Sequence, residues 1–218
     1  MEVRLSRFGP CGVLVRFADE LDADSLSLCR GLVRWVDDHP PEGLVDCVPA
    51  CTALLLEFAE PVSERRLRVL RQALRIVRPL PAEEATLHTL PVVYDGEDLE
   101  ELAARKNLPV AEVVSRHAAP TYSVFVIGFA PGFPYLGPLD EKLHLPRRST
   151  PRLRVPAGSV AIGGEHTGIY SIASPGGWWL IGRTPVGVFS PELARGDGDV
   201  AAFRLQPGDR VRLEPVSP

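Results

Sequence analysis

"RPLPAEEA", residues 78–85, is the stretch on which the reading of the fold turns. Pro79 and Pro81 end any helix arriving from the N-terminal side, and the small and acidic residues behind them carry no apolar period. The patterns on its two sides differ. Before it, "MEVRLSRFGPCGVLVRF" offers strand-like runs over 2–8 and 12–18 around a GPCG turn. A cap at Asp22 or Asp24 then opens a helix in which Leu26, Cys29, Val33 and Val36 recur at helical spacing until Pro40. Residues 44–58, "LVDCVPACTALLLEF", read as two strands broken near Pro49, and "SERRLRVLRQALRIVRP" as a second amphipathic helix. Ser63 is its expected cap, with Leu67, Leu70, Leu74 and Val77 on one face. Strands alternating with two helices, which must cover one face of a small sheet, predict an α+β unit of the split βαβ, ferredoxin-like kind.

Beyond residue 85 the period changes. "TLHTLPVVYD" reads as a strand, and "DLEELAARKN" carries a D-x-x-E capping box at Asp98 and Glu101. Pro109 suits the first turn of a short helix ending near His117. No helical period follows. "TYSVFVIGF", "VPAGSVAIGG", "GIYSIAS", "WWLIGRT", "VGVF", "AAFRL" and "DRVRLEPV" are short strands set between PG, GG, SPGG, GDGD and PGD turns. Many short strands at this spacing predict an antiparallel barrel or sandwich. The expected organisation is an α+β domain over 1–84 followed by a mainly-β domain over 85–218, without internal repeats.

Composition narrows the function. The 218 residues are 45% hydrophobic and 24% charged, which is globular composition. No apolar run reaches the length of a signal peptide or a membrane helix, so the expected location is the cytoplasm, with no membrane partner. A net charge of −4 argues against nucleic acid as a partner. All four cysteines lie in the first quarter, and Cys47 and Cys51 stand four apart without a second pair or nearby histidines. Free thiols are therefore favoured over a zinc site, and no metal is expected. Charge is unevenly spread: seven acidic and no basic residues occur from Glu83 to Glu101, five basic and no acidic from Lys142 to Arg154. The acidic run is expected to be a solvated face.

The basic run lies in "LPRRSTPRLRVPAG", residues 145–158, where Pro146, Pro151 and Pro156 forbid a continuous helix or central strand. It is expected to be a shaped loop with short extended pieces. Strand alternation puts Arg152 and Arg154 on one face, opposite Leu153 and Val155. Such a row suits a carboxylate or phosphate, and equally an exposed edge strand protected by charge; the residues alone leave both open. His117, behind Val110, Val113 and Val114, is favoured as a core histidine over a catalytic one, whereas His166 in "GGEHTGIY" is the better acid/base candidate. "GFAPGFPYLG" and "AGSVAIGGEHTG" lack a nucleotide fingerprint and read as tight turns. There is no G-x-S-x-G and no H-E-x-x-H, which disfavours a triad hydrolase or zinc enzyme. In "SPGGWW" the two tryptophans must face opposite sides of a strand, one in the core, the other lining a pocket or interface near Tyr170 and Arg183.

The run "PVVYDGEDLEELA…VVSRHAAPTYSVFVIGFAPGFPYLGPLD…LPRRSTPRLRVPAGSVAIGG…GIYSIASPGGWWLIGRTP" resembles the family of the 5-oxoprolinase B subunit, also called allophanate hydrolase subunit 1 or KipI. The likeness covers nearly the whole chain and is strongest over 91–185. It implies a ferredoxin-like N-terminal domain, a cyclophilin-like barrel, and two partners: the C (KipA-like) and A chains of 5-oxoprolinase. Such complexes couple ATP hydrolysis, with magnesium, to opening the lactam of 5-oxoproline to L-glutamate, which implies a chain inactive alone. By the same likeness the matched positions Arg147, Arg152, Arg154, Ser159, Tyr170 and Arg183 are expected to bind substrate or stabilise charge, and His166 and His117 to be catalytic. Relatives that inhibit a sensor histidine kinase, or that resemble half of a urea carboxylase carboxyltransferase domain, supply the alternatives. A barrel alone does not confer prolyl isomerase activity.

Overall fold

The computed structural model describes residues 3–19, 23–50, 52–81, 84–194 and 200–217. The chain divides into two units, Met1–Ala85 and Thr86–Pro218.

The first unit runs β1 (Arg4–Phe8), β2 (Gly12–Arg16), α1 (Ala23–Asp38), β3 (Leu44–Ala50), β4 (Ala53–Phe58) and α2 (Glu64–Leu74). Its strands form one antiparallel sheet in the order β1-β2-β4-β3. Because β2 and β3 both run antiparallel to β4, they are parallel to each other, and α1 joins them as a βαβ unit split by β4. Val13, Val15, Leu54 and Leu56 turn to one face and pack with Leu32 and Leu70 of the helices. Ser63 caps α2 as its position predicts, accepting a hydrogen bond from the Arg66 N–H at 3.1 Å. Asp24 lies within the first turn of α1 instead of capping it, and Asp22 lies outside the described residues.

The two strands expected over 44–58 are present, and the break near Pro49 falls just after it: Pro49 sits inside β3 opposite Leu54, and the strand ends at Ala50. β3 is an edge strand, and proline is tolerated where its missing N–H would face outward. Cys11 and Cys47 are free thiols, Cys29 is buried in the core, and Cys51 lies outside the described residues. Burial pushes the Cys47 thiol up to about 12, which leaves it unreactive at neutral pH.

The second unit runs β5 (Leu87–Val92), α3 (Leu99–Lys106), α4 (Val110–Ala118), β6 (Thr121–Ile127), β7 (Pro134–Gly137), β8 (Arg152–Val155), β9 (Ser159–Gly163), β10 (His166–Ile169), β11 (Ser174–Gly176), β12 (Trp179–Arg183) and β13 (Arg210–Pro215). Seven strands form a mixed sheet in the order β12-β9-β10-β7-β6-β13-β5. Its two edges meet: Val93 and Arg183 exchange backbone hydrogen bonds of 2.8 Å each, so the sheet curls round on itself. One pair departs from the antiparallel expectation. β5 and β13 are parallel, which is possible because the rest of the unit serves as the long crossover between them.

Inside lie Val160, Ile162, Trp179 and Ile181 with Leu90 and Val124. The alternate residues Ala161 and Leu180 point outward and are buried by a second cluster containing Phe133, Val155, Tyr170 and Trp178. β8 and β11 pair only with each other, and this ribbon carries the outer cluster's Val155. The two tryptophans thus face opposite ways as alternation requires. β7, which the sequence pattern presents as a turn, is a strand. "VGVF" and "AAFRL" are not strands; they touch through one isolated bridge, Phe189 to Phe203. The GDGD turn lies outside the described residues. No helix among the described residues is long and apolar enough to cross a membrane.

Candidate functional site

Asp98 organises the arginine segment. Its side chain is only 4% exposed. One carboxylate oxygen accepts from Arg148 at 2.8 Å and Arg152 at 2.7 Å, and the other accepts from the Leu180 backbone N–H at 2.7 Å. Arg152 also pairs with Glu97 at 2.6 Å, and Arg148 with Glu101 at 3.3 Å while lying 4.8 Å over the Trp179 ring. Two sequence readings are corrected here. Asp98 precedes α3 but makes no side-chain cap bond, because its carboxylate is taken by the arginines and β12. The acidic run is not simply a solvated face: Glu97, Asp98 and Glu101 are counter-ions for the basic run.

With Arg148 and Arg152 tethered, Arg147 is left exposed with its guanidinium 5.8 Å over the Trp178 ring. It stands at the mouth of a cavity of about 50 Å³ whose walls are Phe129, Phe133, Tyr135, Tyr170, Gly176, Gly177 and Trp178. A single water needs roughly 10–15 Å³ on this scale, so the cavity as it stands admits a few waters. The rings meet edge to face at 5.1–5.4 Å between Phe133 and Tyr135, Tyr170 and Trp178. Gly176 is required for this packing, since a Cβ there would collide with the Tyr170 hydroxyl. Tyr170 stands with Arg147 and Arg152 close enough for both to favour its ionised form, yet burial prevails and raises its pKa.

His166 flanks the cavity, 6.2 Å from the Tyr135 ring and 5.7 Å from the Phe125 ring. Burial lowers its pKa; Glu165 opposes the shift and His144 and Arg147 add to it. It is therefore neutral at physiological pH. Its Nδ1 is buried without a hydrogen-bond partner among the described residues, as are Nη1 of Arg152 and Oγ of Ser174. Three buried polar atoms left unsatisfied cost free energy that a polar ligand would recover.

Other expected site residues stand elsewhere. His117 is fully buried in the barrel, its Nε2 2.8 Å from Thr167 Oγ1 and its Nδ1 2.8 Å from the Tyr94 hydroxyl. Thr167 donates to the Ala161 carbonyl, so it accepts from His117, and Tyr94 must donate to Nδ1. Both ring nitrogens are thus committed to the core. Arg183 pairs with Asp95 at 2.9 Å on the surface, Ser159 is buried opposite it at the start of β9, and Arg154 is exposed. Leu153, placed by alternation on the face of Val155, is 93% exposed, whereas Val155 is buried in the outer cluster.

The aromatic walls are what sequence pattern misses, since "GFAPGFPYLG" reads as turns; the spacing of Phe129, Phe133 and Tyr135 is the available signal. Phe129 is unusual in itself: it holds φ at +70 and is 64% exposed. A non-glycine residue there costs about 1–3 kcal/mol, the kind of strain kept at functional sites. Phe129→Gly is expected to leave the melting temperature unchanged or higher while weakening ligand binding. A lower melting temperature would show that the ring serves packing instead.

The family model of the carboxyltransferase domain, subdomain C and D, matches residues 3–196. The B subunit of 5-oxoprolinase from Bacillus subtilis (strain 168) is 32% identical over 221 residues, covering 92% of this chain and 91% of that protein. The protein of the same name from Escherichia coli O157:H7 is 50% identical over 135 residues, 61% of this chain and 59% of its own length. Among solved structures, TTHA0988 superposes with a TM-score of 0.82 at 38% identity over 100% of this chain but only 41% of its own. Kluyveromyces lactis urea carboxylase shares the fold, with a TM-score of 0.74 at 20% identity over 99% of this chain and 22% of its own. Matches that run through both units make this chain a member of the 5-oxoprolinase B-subunit family, built on the carboxyltransferase C and D subdomains.

Proposed function

We propose that the chain is the B component of an assembly that opens 5-oxoproline to L-glutamate with consumption of ATP, and that the aromatic cavity receives the substrate. Ring opening adds water across the lactam C–N bond, giving a carboxylate and an amine. The amide is unactivated, so free energy must be supplied. Phosphorylating the lactam oxygen turns it into a leaving group, and cations nearby would steady the negative charge. The observation that supports this reading is the combination of a small aromatic-walled cavity, at which a ring can dock, with Arg147 at its mouth and the unsatisfied polar atoms of Arg152 and His166. In this reading Arg147 and Arg152 hold the carboxylate, Tyr170 fixes the ring, and neutral His166 accepts or relays a proton. Arg154, Ser159, Arg183 and His117 stand outside the cavity and take no part in binding the ring. A nucleoside triphosphate does not fit 50 Å³, so ATP and its magnesium belong elsewhere in the assembly, whose A and C chains are the partners.

The split βαβ order supports a ferredoxin-like first unit, with β1 taking the edge next to β2. The closed mixed sheet supports a cyclophilin-like second one. The test is glutamate formation from 5-oxoproline with ATP, using the chain with its partner chains and again without it. Omission is expected to abolish product. Arg147→Ala in the complete assembly is expected to lower kcat/KM by roughly 10–100-fold, as loss of a charged hydrogen bond implies, with an unchanged melting curve. Full activity without the chain would reject the reading. It would favour a second one, inhibition of a sensor histidine kinase, for which the exposed Phe129 and Leu153 are the supporting contacts.

A further inference from the structure

We infer that the groove beside β1, in the first unit, docks an extended peptide segment of a partner protein, one that is apolar at alternate positions and rich in carboxylates, which adds to the sheet as a strand next to β1. This inference is independent of the barrel's chemistry. β1 is an edge strand, with no further strand paired to its outer side among the described residues. Leu5 pairs with Val15, whose side chain is in the core under the helices, so Leu5 and Val3 point to that same face. There they line an open groove of about 820 Å³ together with Leu28, Leu74, Val77 and Pro79. An added strand would drop its alternate side chains onto this apolar floor while its backbone satisfied the free edge of β1.

Charge selects the occupant. Arg4, Arg71 and Arg75 rim the groove. Arg4 is held by Asp19 at 2.7 Å, and Arg7, also on β1, by Glu64 at 2.8 Å, so the strand's own cations are neutralised. Among the described residues Arg71 and Arg75 have no carboxylate within ion-pair distance. From Ser63 to Arg78 there are six arginines and one acidic residue, in a chain whose net charge is −4. A local positive field over an apolar floor calls for an acidic, partly apolar segment. A second copy pairing through β1 would bring two such arginine rims together and is opposed by like charge.

The test uses the full chain and a fluorescein-labelled nonapeptide with valine at the central groove-facing positions and glutamate at the groove-facing positions of both ends, where the arginine rim lies, with a control in which lysine replaces glutamate. Fluorescence anisotropy is expected to show saturable binding of the acidic peptide alone. Arg71→Glu with Arg75→Glu, both exposed, is expected to weaken it by about tenfold or more without altering the melting curve. Hydrogen exchange is expected to slow at β1 when peptide is added. The inference is overturned by equal binding of the lysine peptide, by indifference to the charge reversals, or by absence of protection at β1. It is equally overturned if β1 is protected instead by self-association of the chain or by phosphatidylserine vesicles and not by peptide.

Discussion

Replacing Asp98 with alanine is expected to remove about 3–5 kcal/mol of folding stability, because it strands charged partners in a partly buried place. The carboxylate is the common acceptor of Arg148, Arg152 and the Leu180 N–H, on a loop and strands far from it in sequence. Without it, Arg152 keeps only Glu97, whose side chain is 61% exposed, and the loop carrying Arg147 is left with the Trp179 indole N–H on the Pro146 carbonyl as its bond to β12. Asp98→Asn should fall between, since an amide can still accept from the Leu180 N–H but cannot balance two guanidinium groups. Urea unfolding followed by tryptophan emission reads both numbers, because Arg148 lies on Trp179 and Arg147 over Trp178. A loss below about 1 kcal/mol, the range of an exposed ion pair, would show that the brace is only a surface contact.

His117→Ala is expected to cost about 2–4 kcal/mol, from the cavity left behind and from the Tyr94 hydroxyl losing its acceptor. It should also change how stability depends on pH. Burial holds the His117 pKa down at about 3, whereas an unfolded histidine titrates near 6.5. Between those values the unfolded chain binds a proton that the folded chain does not, so this contribution is complete above about pH 6.5 and is lost as pH falls toward 3. The slope approaches about 1.4 kcal/mol per pH unit at most. Denaturation midpoints of the native chain and of His117→Gln, compared from about pH 7 to about pH 4, isolate the histidine's share: the variant should be less stable at neutral pH and shallower in slope. Parallel curves would mean that His117 is solvated enough to titrate in the folded state.

Periodicity carries most of the first unit, since Leu67, Leu70 and Leu74 on one helix and alternating valines on a strand leave few other ways to bury apolar area. In the second unit the turns are visible but the pairing is not: that β5 should meet β13 depends on residues at opposite ends of the unit. The site is legible only where one residue type stands out. His166 stands out by its chemistry, while Arg147 is singled out only by the family likeness; both stand with Tyr170 at the aromatic cavity. Asp98 looks like a helix cap because D-x-x-E is a local signal, and its true partners are arginines 50 and 54 positions downstream. Alternation places Leu153 with Val155 on one face but does not say how much of that face is covered: Val155 is buried and Leu153 is not.

The pairing of β5 with β13 also sets an order of events. Leu87 faces Arg210 and Val92 faces Pro215, so the first strand of the barrel waits for its last. On the ribosome, β5 has no partner on that side until residues 210–215 have followed it, at about 5–20 residues per second. The first unit, whose strands find their partners within its own short length, can be complete by then. Synthesis that stops short of residue 210 therefore leaves a finished N-terminal unit attached to an unclosed sheet with two bare edges, the form of this protein most exposed to aggregation and to proteases.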